Sequence, residues 1–360
     1  MGNEIKERGD NQLLVSLACI VIVIAGMRAA SSIIVPFLLS VFIAVMCAGP
    51  FSWMRRKRVP AVLAVAVIIS VIIGAMIGVG AYIGASVSDF MLQMPVYQKR
   101  IQELLITLVI WLRSYGISVS ESVFLQYLDP GSVMQVVANI LSGLGSVLTY
   151  AFLILFIVVF ILIEASSFAE KLMTAHGSSG TSVEAIDRIF HIIEKYLALK
   201  TWISLFTGIV VMLWLMVLGV KYSVLWGLVT FLLNYIPNIG PLIAAIPPIL
   251  LSLVDSGPVS AGMVILGYII IKTITADILE PYFMGRGLSL SMLVVFLSLI
   301  FWGWVLGPVG MLLSVPLTMI LKIVCESFES TTWIAILLGS DLPPPQSSDG
   351  SVDSTGADAA

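Results

Sequence analysis

Charge is what this chain has least of. Only 11% of its 360 residues are Asp, Glu, Lys or Arg, while 59% are hydrophobic and the mean hydropathy is +1.09. A soluble domain carries about 25% charged residues, so this chain cannot cover a water-facing surface. No basic stripe with interleaved aromatics runs through it, which excludes a nucleic-acid partner. Histidine is nearly missing too. His176 and His191 are the only two; neither sits in a metal-binding pattern such as HExxH, and no Ser-His pair falls within an apolar run. No metal site, cofactor or catalytic residue is therefore expected, and the chain does not read as an enzyme. A GxxxxGK[ST] phosphate loop is likewise missing, so ATP hydrolysis is not expected. Cys19, Cys47 and Cys325 stand alone in apolar runs without CxxC spacing, which suits small core residues.

What is present is a series of long apolar runs. A spanning helix needs about 20 mostly apolar residues. Leu13–Met27 and Ile33–Phe51 make a first pair, separated by Arg28 and Ser31-Ser32. The first of these has no small-residue cleavage site leading into a soluble domain, so it reads as a retained membrane helix. Ala61–Ala85, Ile140–Ile163, Trp202–Val220 and Val259–Leu279 supply four more. The fold class expected is all-α and polytopic, with about six full spans.

Two further runs do not fit one span each. Tyr222–Val254 and Met292–Ile323 are too long for one crossing of a ~30 Å core, and Pro and Gly interrupt each near its middle. The interruptions are Asn234-Tyr235-Ile236-Pro237-Asn238-Ile239-Gly240-Pro241 and Gly307-Pro308-Val309-Gly310. Arms of about 15 residues reach only ~22 Å. Such arms fit re-entrant hairpins with Pro237, Gly240 and Pro241 at one tip and Gly307, Pro308 and Gly310 at the other. Two full spans joined by a tight turn are the alternative for each run. Broken segments in corresponding positions point to a transporter's binding site.

Basic residues set the orientation. Arg55-Arg56-Lys57-Arg58 is the strongest inside signal. It puts both termini in the cytoplasm whether the broken runs are hairpins or paired spans. The expected layout is a cytoplasmic tail over 1–12, three membrane helices over 13–85 and an extracytoplasmic amphipathic segment over 86–139. A membrane helix over 140–164, a cytoplasmic segment over 165–200 and a transport region over 201–325 follow. The stretch 326–360 forms a cytoplasmic segment and a tail rich in Pro, Ser, Gly and Asp, read as disordered. Within 86–139, Ile101–Leu112 reads as an interfacial helix or a contact between subunits. Lys200 counts among the cytoplasmic basic residues, and the helix expected to start at Thr181 lies on the cytoplasmic face.

Ionisable groups in lipid are costly and mark pathways. Thr273, Asp277 and Glu280 fall at i, i+4 and i+7 before Pro281, so an α-helix would present all three on one face. They read either as a proton or cation site, or as a hydrated helix end paired with Arg286 or Lys272. Asp277 reads as the deeper carboxylate, with Glu280 pairing Arg286. Asn234 and Asn238 would coordinate a solute from the first tip or cap its broken helices. Trp302 and Trp304 would line a pathway or anchor at an interface. With no nucleotide site, transport would draw on an ion gradient or on the solute's own gradient.

The stretches Leu279-Glu280-Pro281, Met284-Gly285-Arg286, Val294–Leu299, Phe301-Trp302-Gly303-Trp304, Gly307–Leu313 and Val315-Pro316-Leu317-Thr318 follow one another in a fixed order. Together they resemble the C-terminal signature of the autoinducer-2 exporter family, and the Ile-Pro-x-Ile-Gly-Pro core of 236–241 is similar to that family's other hallmark. Many members read His-Pro where this chain has Ser291-Met292; in this it looks closer to the branch named for transporting the quorum-sensing signal autoinducer-2. The resemblance implies a multi-pass bacterial inner-membrane protein exporting a small polar signal, assembled as a homo-oligomer. It also implies a link to sodium/proton exchange, so the carboxylate stripe would serve either solute. A membrane scaffold that transports nothing is the reading from another class.

Overall fold

The computed structural model describes residues 18–115, 151–176, 181–284, 290–326 and 331–339, with positions 15, 131, 135 and 138 in addition. Helices account for nearly all of these residues, and the one β contact among them is a bridge between Leu290 and Gly339. The helices are α1 (Ala18–Ala29), α2 (Ser31–Arg56), α3 (Ala61–Ser114), α4 (Ala151–His176), α5 (Thr181–Val217), α6 (Ser223–Leu233) and α7 (Ile239–Ser256). Then come α8 (Pro258–Lys272), a π-helical turn (Thr273–Leu279), α9 (Glu280–Met284), α10 (Met292–Glu326) and α11 (Thr332–Leu338). Six of these stretches are long and apolar enough to cross a membrane. The chain is an all-α, polytopic membrane protein.

The hydropathy boundaries are not helix boundaries. α3 continues past residue 85 as one helix of 54 residues, about 80 Å long, so most of it extends beyond a ~30 Å core. α4 runs unbroken past residue 164, and α5 joins the expected cytoplasmic helix to the expected fifth span in one helix of 37 residues. The first pair of helices is separated by a single residue, Ala30. The tail after 339 lies outside the described residues.

Both broken runs double back. α6 is 11 residues, about 16 Å, too short to cross the core, and it packs along α7. Between them Asn238 takes a left-handed φ of 58°, which Asn tolerates better than most residues. α10 reverses at Gly307, whose φ of 71° and ψ of −154° only glycine adopts readily. Its arms, 292–306 and 308–326, then meet: Trp302 donates its indole N–H to Thr318 Oγ1 at 3.1 Å. A Cβ on Gly310 would collide with the Trp302 carbonyl, and one on Gly240 with the Leu233 carbonyl. The geometry of each turn thus depends on a glycine just beyond it as well as on its prolines.

Close glycine contacts also join the hairpin to α5. Gly208 and Gly227 face each other so tightly that a Cβ on either would meet the other's carbonyl oxygen at 2.8 Å. Small residues bring membrane helices this near when no hydrophobic force acts between them. α3, α5, α6, α7 and α8 share one core built around Trp226, Leu215, Leu225 and Leu251. A second core joins α2 and α5 to the second hairpin through Phe42, Tyr196, Leu197, Leu313 and Met319. Phe152, Phe156 and Phe160 of α4 are exposed at i, i+4 and i+8, a face suited to lipid.

Beyond the membrane runs, α3 grips both feet of the first hairpin. Tyr222, which precedes α6, donates to Asp89, while Gln93 donates to Asp89 at 2.9 Å and to Tyr222 at 3.2 Å. Asp255, near the end of α7, lies 3.1 Å from Arg100 and 3.2 Å from Lys221. Both cations are about half exposed, so the bridges are worth little individually. Replacing Asp255 with Ala should lower stability by roughly 1 kcal/mol, a loss that shrinks as salt is added. Thermal unfolding of the purified protein at low and high ionic strength measures this.

Candidate functional site

The first hairpin tip seats on one turn of α5. Asn234, only 3% exposed, donates its amide N–H to Ser204 Oγ at 3.0 Å. Its neighbour Tyr235 donates its hydroxyl to Thr201 Oγ1 at 2.8 Å. Asn238 is exposed, and neither asparagine caps a helix through its side chain. The capping role considered for them is therefore not what they do. Tyr235 also packs in the cluster that holds Leu313, Val315 and Met319, with Val309 against it. Both hairpins thus contribute to one core.

Directly beside Thr201 is Lys200, whose side chain is 4% exposed. Its ammonium reaches both oxygens of Glu280, at 2.7 and 2.8 Å. A charged pair this covered, on a helix of spanning length, makes this a candidate functional site. Tyr196, buried one turn before Lys200, lies within electrostatic reach of Glu280.

The expected carboxylate face is corrected here. Thr273 and Asp277 are exposed, whereas Glu280 turns inward to Lys200. The cause is the π-helical turn from Thr273 to Leu279, in which the Glu280 N–H bonds the Thr275 carbonyl five residues back. One extra residue in the turn rotates Glu280 away from the face that α-helical spacing assigns it. Pro281 supplies the reason for the widening: it has no N–H, and in a regular helix its ring would strike the carbonyl of Asp277. The helix nevertheless continues through Pro281 to Met284, so this proline reshapes the segment and does not end it.

The partners agree with expectation in part: Asp277 holds Lys272, one of the pairings considered, whereas Glu280 holds Lys200, which was not. Arg286 lies outside the described residues. Asp277 pairs with Lys272 at 3.5 Å on the surface of the protomer, so the more covered of the two carboxylates is Glu280. Pro237 is partly covered, and Gly240, Pro241 and Gly310 are buried at the turns. Trp302 closes the second hairpin, while Trp304 is exposed, with the Arg28 guanidinium 4.4 Å over its ring. His191 is exposed beside Glu194, and no group of metal-ligating side chains occurs among the described residues. Cys325 is buried and Cys47 half-buried, but Cys19 is exposed and is not a core residue.

Lys200 was missed as a site residue because it reads as a basic residue of a cytoplasmic loop. The signal that finds it is periodic: Tyr196, Lys200, Ser204 and Thr207 recur at i, i+4, i+8 and i+11, one face of a helix. All four are buried.

The family model of the AI-2E family transporter matches residues 17–330. The AI-2 transport protein TqsA of Escherichia coli (strain K12) is 44% identical over 331 residues, covering 92% of this chain and 96% of that protein. A putative transport protein of Haemophilus influenzae is 38% identical over 335 residues, 91% of this chain and 96% of its own length. The putative transport protein YhhT of Escherichia coli (strain K12) is 35% identical over 331 residues, 92% of this chain and 95% of its own.

Proposed function

The chain belongs to the AI-2E transporter family, and from that premise we propose that this membrane transporter exports a small polar signal of the autoinducer-2 type. It does so across the bacterial inner membrane, with both termini in the cytoplasm. The family points away from catalysis. The single observation that carries a pathway through this region is the seat of the Asn234–Pro241 tip on α5, beside the covered Lys200–Glu280 pair. Polar groups converge there among apolar helices, as a polar solute crossing the membrane requires. Autoinducer-2 as the solute is supported by the name of the Escherichia coli relative.

In this reading Asn234, Glu280 and the Pro237–Pro241 turn line the path, and the Gly307–Gly310 turn backs it. Thr273, Asp277 and Lys272 form a polar shoulder where the solute enters, and Asn238 and Arg286 belong to the same proposed set of pathway residues. Coupling to protons or sodium belongs to the same proposal. So does homo-oligomeric assembly, for which Ile110 and Trp111, exposed on the projecting part of α3, are the contact surface.

Inverted membrane vesicles containing the protein should take up autoinducer-2, and Asp277→Asn should lower that uptake several-fold while leaving the amount of folded protein unchanged. Gradient dependence would indicate coupling. Uptake no greater than in empty vesicles, with the protein folded, overturns autoinducer-2 as the solute. The carboxylates would then be read as the ion site of a cation/proton antiporter, tested by proton flux on adding sodium.

A further inference from the structure

Two contacts that look separate fall on one helical turn. Lys200 holds Glu280, and the next residues along α5, Thr201 and Ser204, hold Tyr235 and Asn234 of the hairpin tip. Whatever moves Lys200 therefore moves the seat of the tip. Glu280, on the other side, stands at the end of a π-helical turn. Such a turn has a ready alternative: returning its hydrogen bonds to α-helical register rotates every group that follows. The pair thus joins a rigid helix that carries the tip to a segment with two available windings.

The charges decide what could operate such a joint. Among the described residues, the ionisable groups facing Glu280 are Lys200 and Tyr196 from α5, with Tyr235 of the tip close to Tyr196. On its own helix, Lys272 and Asp277 pair with each other on the outer surface. Among the described residues, Glu280 is therefore the carboxylate that Lys200 holds. In a covered site, removing its charge leaves the ammonium without its counter-ion, and a covered charge without a partner does not stay where it is.

We propose that the Lys200–Glu280 pair is a proton-operated latch on the first hairpin. One proton adds to a Glu280 carboxylate oxygen, the ion pair breaks, and Lys200 keeps its own proton. The freed ammonium then leaves Glu280 and the tip loses its fixed seat on α5. Release of that proton to either side re-forms the pair and closes the seat. No other bond is made or broken, and the only co-reactant is the proton. The latch rests on the reading that solute passes this tip, and it adds to that reading the event that opens it.

A thiol behind the tip reports the opening without any solute. Thr207 is 3% exposed, and its hydroxyl bonds the carbonyl of Ile203 on its own helix, so Thr207→Cys leaves the tip contacts intact. The reporter is placed in a chain whose three native cysteines are Ala, reconstituted in liposomes, and labelled with N-ethylmaleimide. Labelling rates are taken with and without Glu280→Gln, and their ratio at each pH cancels the thiol's own ionisation. The ratio should be near one at low pH and then fall about tenfold for each pH unit above the midpoint of the latch. If Glu280→Gln does not fold, the pair Lys200→Gln with Glu280→Gln buries no charge and serves as the reference. A ratio that stays flat across about pH 4 to 8, where carboxylates titrate, overturns the latch. Autoinducer-2 uptake by the wild type is measured alongside. A flat ratio with uptake present sinks the latch and spares the solute; a falling ratio without uptake supports the latch and sinks the solute.

Discussion

Gly310→Ala and Gly240→Ala should each destabilise the protein by about 3 kcal/mol and abolish transport, although each adds one methyl group. The new Cβ has nowhere to go: at 310 it meets the Trp302 carbonyl and at 240 the Leu233 carbonyl, both backbone atoms that cannot step aside. Overpacking a close contact costs roughly 1–3 kcal/mol, at the upper end where backbone must shift. Each clash also pushes apart the two arms of a hairpin, and with them the turn that bounds the proposed pathway. Gly74→Ala, Gly78→Ala and Gly84→Ala on α3 are the controls. Nothing beyond the surrounding helix backbone lies within 4 Å of the added methyl there, and removing a helical glycine favours the helix by about 0.5–1 kcal/mol. Chemical unfolding in detergent, with vesicle uptake in parallel, separates the two groups. Equal effects at Gly310 and Gly78 would mean that the hairpin arms are not held as closely as described.

How far the sequence reveals this arrangement depends on which physical signal is read. Hydropathy is averaged over a span, so membrane class, helical content and the two interrupted runs stand out. The turn glycines and prolines mark the reversals because few other residues accept such backbone angles. Hydropathy does not mark helix ends. Ser86 and Ser88 make the chain polar, yet nothing there breaks a helix, and α3 runs on to Ser114. The same blindness hid Lys200: with a helix expected to start at Trp202, it counted as a loop cation, although α5 carries it into the core.

The carboxylate stripe failed for a subtler reason. Assigning Thr273, Asp277 and Glu280 to one face assumes 3.6 residues per turn through a segment followed by proline. Pro281 makes the regular winding unfavourable one turn upstream, and the π-turn absorbs the conflict. Periodicity is a safe guide only where no residue in the next turn forbids it. A proline after a polar stripe signals that the last member of the stripe has been re-aimed. Its partner lies 80 residues away in sequence; the polar periodicity of α5 marks Lys200 as facing inward, but only packing decides that it meets Glu280.

That re-aimed residue carries the other large effect. Glu280→Leu should cost about 3–5 kcal/mol, the range for leaving one member of a covered ion pair without its counter-charge. The carboxylate is 22% exposed and the ammonium 4%, so the cost falls mainly on Lys200, which has little water to turn to. Lys200→Met alone should cost less, since Glu280 keeps some access to solvent. Combining Lys200→Met with Glu280→Leu should recover most of the stability, because two apolar side chains of similar length fill the space and neither charge needs solvating. Transport should not recover, since the path beside the hairpin tip has then lost its charged pair. The decisive comparison is therefore between unfolding and uptake in the double variant. Stability restored together with transport would make the pair a structural brace. Stability restored without transport makes it a device kept at the expense of stability, the expected standing of charges that a membrane protein retains in its interior.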